Sequence, residues 1–188
     1  MINCNIYKME ELESKEKILL NSLLNYFSKK ENQDILISIV NENSVISLRI
    51  LDWFVTNFSK ERSSQIMKSD ICKDFDIYNS YKAQLKAYNK KLFDPFCRQH
   101  STKNKFNYVY EGDNYITTTT GQLNFFKWAI ENKIITYVKK HYSEIKKDLK
   151  LKQKKNSSSN SNTSSHSPSL SVTSSIENRT TNYIICFD

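Results

Sequence analysis

The sequence predicts a mainly α fold: a compact helical domain over residues 9–150, one small β-hairpin at about 106–119, and a disordered C-terminal tail. Three observations lead there. Gly and Pro occur only twice each in 188 residues, too few for the turns of an all-β architecture or for a Gly-lined phosphate cradle. Apolar residues recur three and four apart through most of the chain, the period of an amphipathic helix. From Asn156 the composition turns abruptly to Ser, Asn and Thr, with too little apolar surface to offset chain entropy.

Residues 1–8 form a lead-in. From Met9 to Ser28 the order is that of a helix: Glu10, Glu11, Glu13 and Glu16 crowd the start, where the dipole favours negative charge, and Leu19, Leu20, Leu23, Leu24 and Phe27 make the buried stripe. Ile35, Leu36, Ile39 and Val40 mark a second, shorter helix. Ser44 is a plausible N-cap for a third, in which Leu48, Leu51, Val55 and Phe58 are joined by a flank of Ile50, Trp53 and Phe54. More than half of its circumference calls for burial, so it is the expected central core helix. Residues 60–76 are polar and weakly patterned, a loop with at most a helical turn around Ile66 and Met67.

The stretch Tyr81 to Arg98 presents two faces. Tyr81, Leu85, Tyr88 and Leu92 share an apolar side, while Lys82, Lys86 and Lys90 line another. Asp94-Pro95 stops the helix, because proline disfavours helical geometry before it and lacks an N–H. Phe106–Tyr110 and Tyr115–Thr119 are β-branched and aromatic, with a tight connection through Gly112. A lone hairpin is marginal, so it must lie on the helices or accept a further strand. A helix then begins at Thr120-Gly121 and buries Leu123, Phe126, Trp128 and Ile130. After a break at Asn132-Lys133, a stripe of Ile134, Ile135, Val138, Tyr142 and Ile145 runs into a strongly basic end between Lys139 and Lys155, and residues 151–188 hold the end of that helix and the disordered tail. Tyr183 to Phe187 is apolar again, either a docking motif or an idle end.

The formal charge of +8 is concentrated. Residues 82–155 hold 17 Lys/Arg against 6 Asp/Glu, whereas residues 1–81 hold 10 against 12. That asymmetry suits a surface meeting phosphates, on nucleic acid or on anionic lipid, although a solvated face of a Lys- and Asn-rich chain gives the same count. Cys4, Cys72, Cys97 and Cys186 are widely spaced, and Lys8, Glu10, Glu11 and Glu13 interrupt any signal-peptide core, so free thiols and an intracellular, soluble setting are expected. No apolar run reaches the roughly 18 residues of a membrane span. Cys97 and His100 have a Cys-x-x-His spacing without a second pair, so no metal site is expected. Phosphate-loop, H-E-x-x-H, G-x-S-x-G and paired-carboxylate patterns are lacking. Neither enzymatic activity nor a cofactor is expected.

Basic residues interleaved with aromatic rings remain. Lys82, Lys86, Lys90, Lys91, Arg98, Lys103 and Lys105, with the cluster from Lys139 to Lys155 and above all Lys139, Lys140, Lys146, Lys147 and Lys150, are the candidate phosphate contacts. Tyr81, Tyr88, Phe93 and Phe96 are assigned to the core, and Tyr108 and Tyr110 are left open between core and base stacking. Three blocks, LDWFVTNFSK at 51–60, YKAQLKAYNKKLFDPFCR at 81–98 and TTTTGQLNFFKWAI at 117–130, resemble an uncharacterised conserved protein family of nucleocytoplasmic large DNA viruses, the mimivirus-like giant viruses. The resemblance implies a viral origin and a setting in the host cytoplasm, at the virus factory, or in the virion; it implies no reaction. The expectation is a non-enzymatic nucleic-acid-binding or genome-associated protein that meets DNA or RNA through phosphates. A helical scaffold that binds another protein through Trp53, Trp128 and the hairpin edge is the alternative, and a membrane-surface helix at Ile134 to Lys155 is the third.

Overall fold

The computed structural model describes residues 14–69, 71–97 and 105–158. The lead-in at 1–8, the Ser/Asn tail from 159, the segment Tyr183 to Phe187, and Arg98, His100 and Lys103 lie outside the described residues.

Helix α1 (Ser14–Phe27) buries Leu20, Leu23 and Phe27, three and four residues apart as the stripe requires. Helix α2 (Lys30–Val40) folds back on it and buries Leu36 and Ile39. The third helix does not start at Ser44. The Ser44 hydroxyl accepts the Ile46 N–H, and Ser47 is the cap, its Oγ accepting from Ile50 N at 3.4 Å. The cause is Ile46, which is fully buried: the chain bends over residues 44–46 to tuck it into the core and leave Val45 outside.

Helix α3 (Leu48–Trp53) passes without a break into a π-helical turn, Phe54–Phe58, and then α4 (Ser59–Glu61). The Ser59 N–H reaches back five residues to the Phe54 carbonyl, and that wider turn keeps Phe54, Val55 and Phe58 all on the buried side. The expected loop beyond residue 60 is shorter than its polarity suggested. Burial of Ile66 draws Ser63–Met67 into helix α5.

Helix α6 (Ile77–Leu92) begins ahead of the Tyr81 stripe, because Asp76 caps it by accepting the Asn79 N–H at 3.0 Å. It is also kinked. Asn89 has φ 53° and ψ 178°, and its side chain accepts the Lys91 N–H at 2.8 Å, restarting the chain for one last turn. The straight row of Lys82, Lys86 and Lys90 inferred from spacing is therefore broken between Lys86 and Lys90. The helix ends at Leu92, just before Asp94-Pro95.

Strands β1 (Lys105–Tyr110) and β2 (Asn114–Thr119) pair antiparallel, with Tyr108 opposite Ile116 and Phe106 opposite Thr118 on the core side. The connection is Glu111 to Asp113, with Gly112 at φ +72°, where a residue without Cβ fits best. The hairpin lies on the helices. The Tyr108 hydroxyl donates to the Phe27 carbonyl and accepts from Gln33 Nε2, both at 2.8 Å, and Asn41 Nδ2 donates to the Tyr110 hydroxyl at 3.2 Å. Tyr108 is thus a core residue, while Tyr110 is half-buried at the edge of the core.

Helix α7 (Thr120–Glu131), capped by Thr119 accepting from Gln122 N, has nine of its twelve residues buried. It touches α1, α2, α6 and β2, so it shares the central place expected of α3 alone. Tyr81, Phe93, Phe125 and Trp128 form one aromatic group with ring centroids 5.5–6.5 Å apart, and the Trp128 indole donates to Ser80 Oγ. Lys133, in left-handed conformation, breaks the chain before α8 (Ile134–Lys140), and a second break at His141 starts α9 (Tyr142–Ser158). The basic stripe is therefore two helices meeting at a corner. Stacking of Phe54 on Tyr137, and of Tyr137 on His141, fixes that corner. Burial first, then the Glu144 charge, pushes the Tyr137 hydroxyl above its ordinary pKa, so it stays neutral inside the stack.

Candidate nucleic-acid interface

Helix α9 carries the most ordered basic surface. Its 17 residues span about 25 Å at 1.5 Å each. Ile145 and Leu149 are buried against the body, where α9 packs on α3, the π-helical turn and α8. Of the two acids of the helix, Asp148 lies along that inner edge and Glu144, exposed, lies on the flank toward Arg62. Arg62 Nη1 stands 3.7 Å from Glu144 Oε1 and 3.9 Å from Asp148 Oδ1, and the Trp53 indole N–H donates to Asp148 Oδ2 at 3.0 Å. Lys152 closes the edge, paired with Glu61 and placed over the Trp53 ring. The Lys152 contact holds the Glu61 carboxyl below its usual pKa.

The opposite side belongs to lysines. At 100° per residue, Lys146, Lys150, Lys154 and Lys147 fall within an arc of about 100° centred away from Ile145 and Leu149. All four are exposed, and with Tyr142, Ser143 and Leu151 they form one face of α9. Lys146 Nζ donates to the Tyr142 hydroxyl at 3.0 Å and sits 5.0 Å from its ring. Asp148 is thus engaged on the body side and Glu144 on the flank beside Arg62, so neither carboxylate of α9 falls within the lysine arc.

The other candidates fall elsewhere. Lys139 and Lys140 are exposed on the last turn of α8. Lys82 and Lys86 are exposed on α6, which packs on α7, the π-helical turn and α4. Lys90 is exposed beyond the kink. Lys91 turns inward: its Nζ lies 2.8 Å from Oε2 of Glu16, a carboxylate only 4% exposed. Lys105 is half-buried on β1, where its charge opposes the burial that raises the Cys97 thiol pKa. Lys154 completes the α9 arc, and the i, i+4, i+8 repeat from Lys146 through Lys150 was the signal for it. Among the described residues no group of three His, Cys, Asp or Glu side chains could hold a metal ion, and no helix is long and apolar enough to cross a membrane.

Comparison with known sequences places the chain. The profile of DUF7197, described as a family of unknown function, matches residues 2–188. The chain belongs to the DUF7197 family. It is also 39% identical over 145 residues to an uncharacterized protein of Acanthamoeba polyphaga mimivirus, an alignment that covers 75% of this chain and 56% of the relative. The chain thus spans little more than half of that relative's length. No solved structure matches it. The expected resemblance to an uncharacterised giant-virus family is shown by these matches.

In this DUF7197 chain the three blocks meet in space. Residues 51–60 form the end of α3, the π-helical turn and the start of α4; residues 81–92 lie on α6, which packs on that turn; and residues 117–130 end β2 and form α7, which packs on α6. Their contact is polar as well as aromatic. Asn124 Nδ2 donates to the Leu92 carbonyl and Gln122 Nε2 to the Pro95 carbonyl, both at 2.9 Å, while Gly121 accepts the Asp94 N–H. These three blocks build the core, and the lysine arc of α9 lies outside all three.

Proposed function

We propose that this protein is a non-enzymatic nucleic-acid-binding protein of viral origin that holds phosphates through the outer face of α9, without sequence specificity. One observation carries the reading: four lysines share a solvent-facing arc of one helix, with Asp148 drawn to Arg62 on the body side and Glu144 beside Arg62 on the flank, outside that arc. Lysines so arranged neutralise neighbouring phosphates and release their counterions. Lys139 and Lys140 extend the charge around the corner onto α8. Lys82 and Lys86 on α6 are secondary contacts, and Lys91 is a structural partner of Glu16.

Neither competing reading gains a comparable observation. The exposed large apolar side chains Ile18, Val45, Tyr115 and Leu151 are spread over α1, the turn before α3, β2 and α9, whereas a protein-binding scaffold favours one contiguous patch. Trp128 is buried, and Trp53 is covered by Lys152. A membrane-surface helix needs an apolar side to insert, and Ile134, Ile135, Val138, Ile145 and Leu149 are already spent on the core.

The test is a salt titration of binding to DNA and RNA. Affinity of about micromolar or tighter at about 50 mM salt, falling steeply as salt rises, is expected. The Lys146→Gln/Lys147→Gln/Lys150→Gln/Lys154→Gln variant should lose most of it, and Lys82→Gln/Lys86→Gln less. Failure of the native chain to bind any nucleic acid at that salt defeats the proposal.

A further inference from the structure

Resting on that reading, we infer that the α9 face is fitted to the groove of B-form duplex DNA rather than to a single strand or an RNA duplex. Two features of the face lead there. The first is how its rings are used. Single-strand binders gain much of their affinity from exposed rings on which bases stack; here the ring beside the lysine arc, Tyr142, is half-buried, with its hydroxyl accepting from Lys146. Half-burial leaves that ring little free face for a base, so contact on this surface is made chiefly by charge. Charge favours the duplex, which presents one phosphate charge about every 1.7 Å of its axis.

The second is shape. Lys146 and Lys147 diverge by about 100° around a helix whose side-chain envelope is roughly 10–12 Å across. Extended lysines on the two flanks reach phosphates of the two strands that border a major groove about 12 Å wide. Lys150 and Lys154 follow between them, each about 6 Å further along the axis. The inner side of α9 is packed on the body, so the helix lies along the mouth of the groove and does not enter it. The major groove of an RNA duplex is deep and narrow, and its strands are not spaced for the same pair of flanks.

The experiment compares the full chain binding to a 24-base-pair DNA duplex, one of its single strands and the corresponding RNA duplex, at equal salt. The DNA duplex should bind about tenfold tighter than either competitor. In Lys146→Gln/Lys147→Gln the preference should shrink to about threefold or less, with an unchanged circular dichroism spectrum. A single strand or RNA duplex bound as tightly as the DNA duplex overturns this inference and leaves the phosphate-binding reading standing. A preference that survives the double substitution overturns the placement on α9. No binding to any of the three removes the phosphate-binding reading, and this inference with it.

Discussion

Replacing Gly121 by alanine should weaken the fold more than a single methyl group ordinarily does. A Cβ at this position would stand 2.7 Å from the Lys91 carbonyl oxygen and 3.2 Å from both the Leu92 carbonyl carbon and the Phe93 nitrogen. All three are backbone atoms, so no side chain can rotate away. Nor can the segment retreat freely, because residues 92–95 are tied to α7 by the hydrogen bonds from Asn124, Gln122 and Asp94. Overpacking of this kind costs about 1–3 kcal/mol, and each hydrogen bond loosened in the accommodation adds about 0.5–1.5 kcal/mol. A loss of about 2–4 kcal/mol is expected, read as a lower urea midpoint at unchanged m-value. Gly112→Ala is the control. Its φ is +72° but nothing lies within 4 Å, so only backbone strain of about 1–2 kcal/mol applies. If Gly121→Ala costs no more than Gly112→Ala, the close approach of α6 to α7 is wrong.

Two further substitutions test the region around the α6 kink. Lys91→Met strands the buried Glu16 carboxylate and should cost about 3 kcal/mol at pH 7, with Glu16→Gln on the same chain restoring part of it; equal denaturation midpoints for all three chains would contradict the pairing. Asn89→Gly removes the side-chain penalty at φ 53° but also the bond to the Lys91 N–H, so a net gain of no more than about 1 kcal/mol is expected in urea unfolding, and a large loss would show that the cap outweighs the strain.

Much of the helical framework was legible because burial follows spacing. The stripes of α1, α2 and α7, and the two strands with their turn, can be read directly from apolar and β-branched residues, since those are the side chains that seal the core. Capping was harder to read. Ser44 and Ser47 are equal candidates in composition, and only the burial of Ile46 selects the second. Local polarity hid α5, whose single buried anchor is Ile66. The π-helical turn and the Asn89 kink leave no periodic trace, because each is a backbone adjustment set by packing of several elements at once.

The candidate site shows the same division. Counting charge located the basic segment, but it could not say that Lys91 turns inward to Glu16 or that Glu144 and Asp148 are both taken up beside Arg62. Those facts depend on Glu16 and Arg62, distant in sequence from the groups they meet. Net charge counts an acid wherever it points. A phosphate feels only the charges that share its side of the helix.

The salt dependence of duplex DNA binding bears most directly on the role given to α9. On B-form DNA each phosphate neutralised contributes about 0.9 to the slope of log Kobs against log salt. Converting Lys146, Lys147, Lys150 and Lys154 together to glutamine should therefore reduce the magnitude of the slope by about 3–4. A slope that stays within about one of the native value would place the phosphate contacts elsewhere on the molecule and contradict the assignment.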